Sequence, residues 1–228
     1  MEKHALSIEN IRVGCLFAAD NTIAWEFLSK LEWAWEALPL ISSYITELGA
    51  KLDGSEYEKR PDNVWIHKTA NIAPSAFIGK NVIIGANTEI RHCAYIRNNA
   101  IVGEGAVIGN STELKNVILF DKVQVPHYNY VGDSILGYKS HFGAGVITSN
   151  VKSDSTLVSV KCGEEKIETG LKKFGAIVGD NVEIGCNAVL NPGTVIGANA
   201  TVYPLSMVRG FIPANSIYKK QGEVSEKR

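Results

Sequence analysis

The run IHKTANIAPSAFIGKNVIIGANTEIRHCAYIRNNAIVGEGAVIGNSTEL (residues 66–114) decides the architecture. Through it an aliphatic residue returns every six positions: Ile66, Ile72, Ile78, Ile84, Ile90, Ile96, Val102, Ile108 and Leu114. Four positions after all but the last stands a small or β-branched residue: Ala70, Ala76, Val82, Thr88, Ala94, Ala100, Ala106 and Thr112. Glycine follows the aliphatic residue at Gly79, Gly85, Gly103 and Gly109. A period of six is neither helical nor a simple strand alternation. It fits a prism in which each hexad is one short strand and one corner. The aliphatic side chain fills the interior, and Gly or Asn supplies the corner dihedrals. Three hexads per turn stack successive coils at about 4.8 Å. Unrelated strands of a sandwich would not hold one period for so long.

Outward from this run, the phase slips by one residue near Leu119 and again near Leu136, and resumes at Phe142. After a break it returns as Val178, Ile184, Leu190, Ile196, Val202 and Val208. Residues 1–60 lack the pattern. Trp25, Leu28, Leu31, Trp35 and Leu38 follow helical spacing, which predicts a helix over 22–38. Pro39 ends that helix or opens a second one carrying Leu40, Ile41, Tyr44, Ile45 and Leu48. These helices are expected to pack on the first coil, with the tryptophans used for packing rather than as a ligand box. Residues 152–175 interrupt the repeat, and Leu157–Lys161 and Lys166–Glu168 read as a small hairpin around Cys162–Gly163–Glu164. The expected organisation is a helical segment at 1–60, a β-helix at 61–212 with its excursion at 152–175, and a tail at 213–228.

The 228 residues are 45% hydrophobic and 21% charged, a composition that forms a core. Lys+Arg 23 against Asp+Glu 24 gives a net charge of −1, which argues against a nucleic-acid binder or a polybasic membrane-surface protein. Cys15, Cys93, Cys162 and Cys186 show neither CxxC pairing nor zinc spacing, so no metal is expected. The N-terminus MEKHALSIEN lacks the basic-then-apolar pattern of a signal peptide. The longest uncharged stretch, Ile184–Val208, is broken by Gly185, Pro192, Gly193, Gly197 and Pro204 and does not read as a membrane span. A cytoplasmic protein is the expectation.

The repeat resembles that of the hexapeptide-repeat family, which implies an all-β solenoid, a left-handed parallel β-helix. The segment GNSTELKNVILFDKVQVPHYNYVGDSILGYKSHFGAGVITSN (109–150) is similar to the acetyltransferase half of bifunctional UDP-N-acetylglucosamine pyrophosphorylase/glucosamine-1-phosphate N-acetyltransferases. The later TLVSVKCGEEKIETGLKKFGAIVGD resembles archaeal sugar-1-phosphate nucleotidylyltransferase/acetyltransferases. The PHxxYVGDS and FGAGxxTxN motifs carry the specificity of this resemblance.

By position, the resemblance makes His127 the catalytic base and Tyr130 a sugar contact. Arg97 and Lys115 match the pair that holds the sugar phosphate, and Asn150 an acceptor-site asparagine. Ala144 matches a backbone contact to the acetyl-CoA thioester. Three departures stand out: His141 replaces a substrate-contacting asparagine, Cys186 replaces a cofactor-associated serine, and Thr156 and Ser159 replace lysines for which Lys152 or Lys161 can substitute. The resemblance implies acetyl-CoA as co-substrate, a sugar phosphate as acceptor, and a homotrimer with active sites between subunits. The chemistry is consistent with the residue types. An imidazole can take the amine's proton at neutral pH, an Arg fork and a Lys ammonium suit a phosphate, and the Gly143–Gly145 amides suit an oxyanion. Arg97 and Lys115, three hexads apart, are expected to stack and converge on one anion. No glycine-rich phosphate loop accompanies these residues, so nucleotidyltransferase activity is not expected. Two other readings stand beside this one: a non-catalytic sugar-nucleotide-binding or scaffold protein, and an acetyltransferase with a different acceptor.

Overall fold

The computed structural model describes residues 7–220 and 223–226. From Val64 onward the backbone winds as a parallel β-solenoid with three walls. Along the first wall Ile66, Ile84, Val102, Leu119, Leu136, Val178, Ile196 and Ile212 lie opposite one another, coil upon coil. The second wall stacks Ile72, Ile90, Ile108 and Val125, then Phe142, Ile184, Val202 and Tyr218. The third stacks Ile78, Ile96, Leu114 and Val131, then Thr148, Leu190 and Val208. From Ile84 on, every one of these side chains is buried. One hexad therefore makes one wall, as the sequence predicts.

The corner between the third and first walls turns on Asn81, Asn99, Asn116 and Asp133, with left-handed φ of 54°, 54°, 56° and 47°. Short polar side chains tolerate that region. Here they also bond to each other, Nδ2 to Oδ1, in a ladder from Asn63 through Asn81, Asn99 and Asn116 to Asp133, at 3.2, 3.2, 3.4 and 3.1 Å. The first phase slip falls at this corner. The register shifts between Ile96 and Asn98, so Lys115 pairs with Asn98 and Arg97 bulges out of the ladder.

The N-terminal segment packs on the first coil, where Gly49 meets Trp65, and extends well beyond it. It lies along the outside of the first wall, where strand alternation turns Ile83, Ile101, Ile118, Ile135 and Ile177 outward, yet all five are fully buried. Leu16 and Ala18 bond Asp180, Leu38 accepts from Asn116, and Ser42 accepts from Asn81. The segment thus straps several coils together. The helix expected over 22–38 is instead one α-turn, Trp25–Leu28, and a 3-10 helix, Ala34–Leu40. Glu36 accepts the N–H groups of Glu32 and Trp33, starting a new helix that a continuous one would exclude. The following helix, Ile41–Gly49, forms where Leu40–Leu48 predicts it. The tryptophans pack: Trp35 lies 5.8 Å from the Phe174 ring and 5.2 Å from Trp33, centroid to centroid. A Cβ at Gly49 would stand 2.5 Å from the buried Trp65 indole. Gly49→Ala is therefore expected to lower stability by about 1–3 kcal/mol, measured by urea denaturation; no change would separate the helix end from the wall.

The excursion forms the expected hairpin, Ser159–Cys162 against Glu165–Glu168. It folds back on the solenoid with Val158, Val160 and Cys162 buried. Past residue 212, Ser216–Lys220 pairs in parallel with Thr201–Val202 and continues the coil, and Glu223–Glu226 closes it in antiparallel. Among the described residues no helix is long and apolar enough to cross a membrane.

Candidate functional site

At the corner between the second and third walls, Tyr128, Gly145, Asn187 and Leu205 hold left-handed φ of 52°, 73°, 57° and 59°. Each donates its N–H to the coil beneath. Gly145 bonds His127 O at 3.0 Å, Asn187 bonds Ala144 O at 2.8 Å, and Leu205 bonds Cys186 O at 3.0 Å. His127, Ala144 and Cys186 therefore occupy the same corner position on consecutive coils, spaced by about 4.8 Å. Gly143 permits this close stacking, since a Cβ there would lie 2.7 Å from Cys186 N. Two of the three amides of the Gly143–Gly145 turn are already committed, Gly143 to Ile184 O and Gly145 to His127 O. The Ala144 N–H is the one amide of that turn with no acceptor among the described residues.

Asn129, which sequence reasoning passed over, fixes this corner from inside. It is 2% exposed, accepts the His127 N–H at 3.1 Å and donates to Gly143 O at 2.9 Å. The His127 backbone is held while its ring faces solvent.

Across the third wall the structure gathers Lys115, Asn150 and, through Asn150, Tyr130 around an unforeseen hub, Asp133, while Arg97 is held apart by Glu113. Asp133 is 3% exposed and accepts from Lys115 Nζ at 2.8 and 2.9 Å, from Asn116 at 3.1 Å and from Asn150 at 2.5 Å. Asn150 Nδ2 also reaches Tyr130 Oη at 3.3 Å. Burial, then the Asp133 and Glu113 charges, raise the Tyr130 phenol above its usual range, which keeps it a neutral donor. Arg97 pairs with Glu113 at 3.0 Å, and this contact reinforces its protonation. The expected convergence of Arg97 and Lys115 on one anion does not hold. The register shift displaces Arg97, and Lys115 is spent on a buried carboxylate.

His141 lies apart from this group, on the second wall, with Nδ1 2.8 Å from Glu183. Lys152 folds onto Thr156 and Asp154, and Lys161 lies on the excursion hairpin. Among the described residues no group of three or more His, Cys, Asp or Glu could hold a metal.

Residues 88–172 match a family described as the GMPPB C-terminal domain, and residues 175–210 match the bacterial transferase hexapeptide (six repeats). A "Bifunctional protein GlmU" of Methanococcus vannielii is 32% identical over 160 residues, covering 70% of this chain and 34% of that protein. The chain thus spans about a third of that relative's length. A second relative, "Putative uncharacterized acetyltransferase YaiX" of Escherichia coli K12, is 32% identical over 209 residues, covering 82% of this chain and 87% of its own. A solved structure, the acetyltransferase domain of PglB from Neisseria gonorrhoeae FA1090 in complex with acetyl coenzyme A, aligns at 18% identity. It covers 72% of this chain and 57% of that one, with a TM-score of 0.33.

Proposed function

The chain belongs to the hexapeptide-repeat transferase family, and from that premise we propose that it moves an acetyl group from acetyl-CoA to the amine of an amino sugar, a hexosamine phosphate such as glucosamine-1-phosphate. The observation that carries the reading is the Ala144 N–H, unspent and one coil from His127 on the same corner. A thioester laid along the Cys186–Ala144–His127 edge would place its carbonyl oxygen at that amide. Ala144 would then stabilise the charge that develops as the amine attacks. His127 takes the proton that the amine must lose. Tyr130, Asn150 and Arg97 orient the sugar, with Arg97 exchanging Glu113 for the sugar phosphate.

Assembly completes the site. Phe77, Tyr95, Ile147 and Met207 are 58%, 44%, 40% and 46% exposed along the third wall, a stripe suited to cover by another copy. In the trimer implied by the family, this stripe faces a neighbouring copy, and the resemblance assigns His141 to the acceptor site. The protein is read as cytoplasmic. Sedimentation equilibrium is expected to give about three times the 24.8 kDa chain mass.

The direct test is thiol release from acetyl-CoA with a panel of amino sugars, with and without phosphate. Turnover restricted to phosphorylated amines, and an Arg97→Ala variant at least about tenfold weaker for them, is the expected result. Equal turnover on unphosphorylated amines would shift the acceptor class, and no thiol release across the panel would remove the enzymatic reading.

A further inference from the structure

The corner between the first and second walls repeats one requirement, a left-handed residue whose N–H reaches the coil below. Gly105, Asn181, Asn199 and Asn215 meet it with φ of 62°, 56°, 59° and 55°. They donate to Ala86, Tyr138, Asp180 and Ala198 respectively. On the two coils between Gly105 and Asn181 the position is taken by Lys122 and Lys139, at φ 60° and 55°, donating to Glu104 O and Asp121 O. Glycine and asparagine are at ease there; lysine is not. A local rule broken twice, on neighbouring coils of one edge, points to function.

The side chains point the same way. Both ammonium groups lie over one ring, Lys122 Nζ at 5.6 Å and Lys139 Nζ at 5.1 Å from the Tyr138 centroid. Lys122 Nζ also donates to Tyr138 Oη at 3.3 Å. Among the described residues neither lysine has a carboxylate within ion-pair distance, whereas Arg97 and Lys115 each have one. The two lysines border an open groove of about 680 Å³ that is also lined by Gln124, His141 and Glu183. Glu183, the groove's carboxylate, is engaged by His141.

We propose that Lys122 and Lys139 form an anion site for a phosphate or diphosphate ester, whose polyol part lies along Gln124, His141 and Glu183. The coil spacing of about 4.8 Å separates the two lysine backbones, and both ammonium groups lie within 5.6 Å of one ring centroid, at the edge of one groove. The shared ring holds both cations without neutralising them, so little ordering is left for binding to impose. The ester is either the phosphate of a sugar acceptor or the diphosphate of a nucleotide. Binding alone is claimed, so the proposal does not rest on acetyl transfer.

The test is calorimetric titration at low ionic strength, without acetyl-CoA, using inorganic pyrophosphate on the full chain. The variant is Lys122→Asn with Lys139→Asn. Asparagine suits both backbone positions, so the double variant is expected to melt at or above the wild-type temperature. It is expected to bind pyrophosphate at least about a hundredfold more weakly, from two lost charge-assisted contacts. Parallel titrations with glucosamine-1-phosphate and with ADP identify the source as whichever weakens with pyrophosphate. Loss confined to pyrophosphate, with both esters binding the variant as they bind wild type, would overturn the ester assignment. Wild type and variant binding pyrophosphate alike, or a wild type that binds none at millimolar concentration, would overturn the proposal.

Discussion

Replacing His127 with alanine is expected to lower acetyl-transfer turnover by about 10²–10⁴-fold, the usual contribution of a positioned base. Fold and acetyl-CoA binding should be close to wild type. The structural reason is that His127 is tied into the corner by its backbone, through Asn129 and Gly145, while its ring is exposed. Truncation removes no buried contact, so a loss of turnover with unchanged melting temperature isolates the imidazole's chemistry. A fall in cofactor affinity and melting temperature together would mark a structural role. Near-normal turnover in a folded variant would pass the role of base to another group.

The solenoid was legible because an inward aliphatic residue is required on every wall, whatever lies outside. The strap was half legible. Its cue is a second aliphatic residue beside each inward one on the first wall, in VII, AIV, VIL, SIL and AIV at 82–84, 100–102, 117–119, 134–136 and 176–178. A wall apolar on both sides must be covered, and these pairs recur on successive coils. The resemblance points to His127, Ala144 and Cys186 one by one, and only coiling sets them on a single edge. The Arg97–Lys115 stack was misjudged because the slip removes a residue between them, and a bulge re-aims one side chain. Asn129 and Asp133 both stand inside PHYNYVGDS. Their roles stayed hidden because each acts on partners brought near only by coiling: Gly143 for one, Lys115 and Asn150 for the other.

Asp133 carries the largest expected effect on stability. Asp133→Ala strands the ammonium of Lys115, whose side chain is only 18% exposed, and removes the acceptor shared by Asn116 and Asn150. It also places a Cβ-bearing, non-polar residue at φ 47°. Removing one partner of a buried pair destabilises by about 3–5 kcal/mol, which in a chain of this length lowers the melting temperature by roughly 6–20 °C. Pairing the change with Lys115→Met should restore part of the loss, because the stranded charge goes with it. A double-mutant cycle read by urea denaturation measures this directly, with an expected coupling of at least about 1 kcal/mol. Asp133→Asn serves as the milder control, since asparagine keeps the left-handed backbone and an oxygen for Asn116 while giving up the charge that holds Lys115. If Asp133→Ala were as stable as wild type, or the cycle showed no coupling, the lysine would not be bound to this carboxylate. Lys115 would then be free for an acceptor's phosphate, as the sequence first suggested.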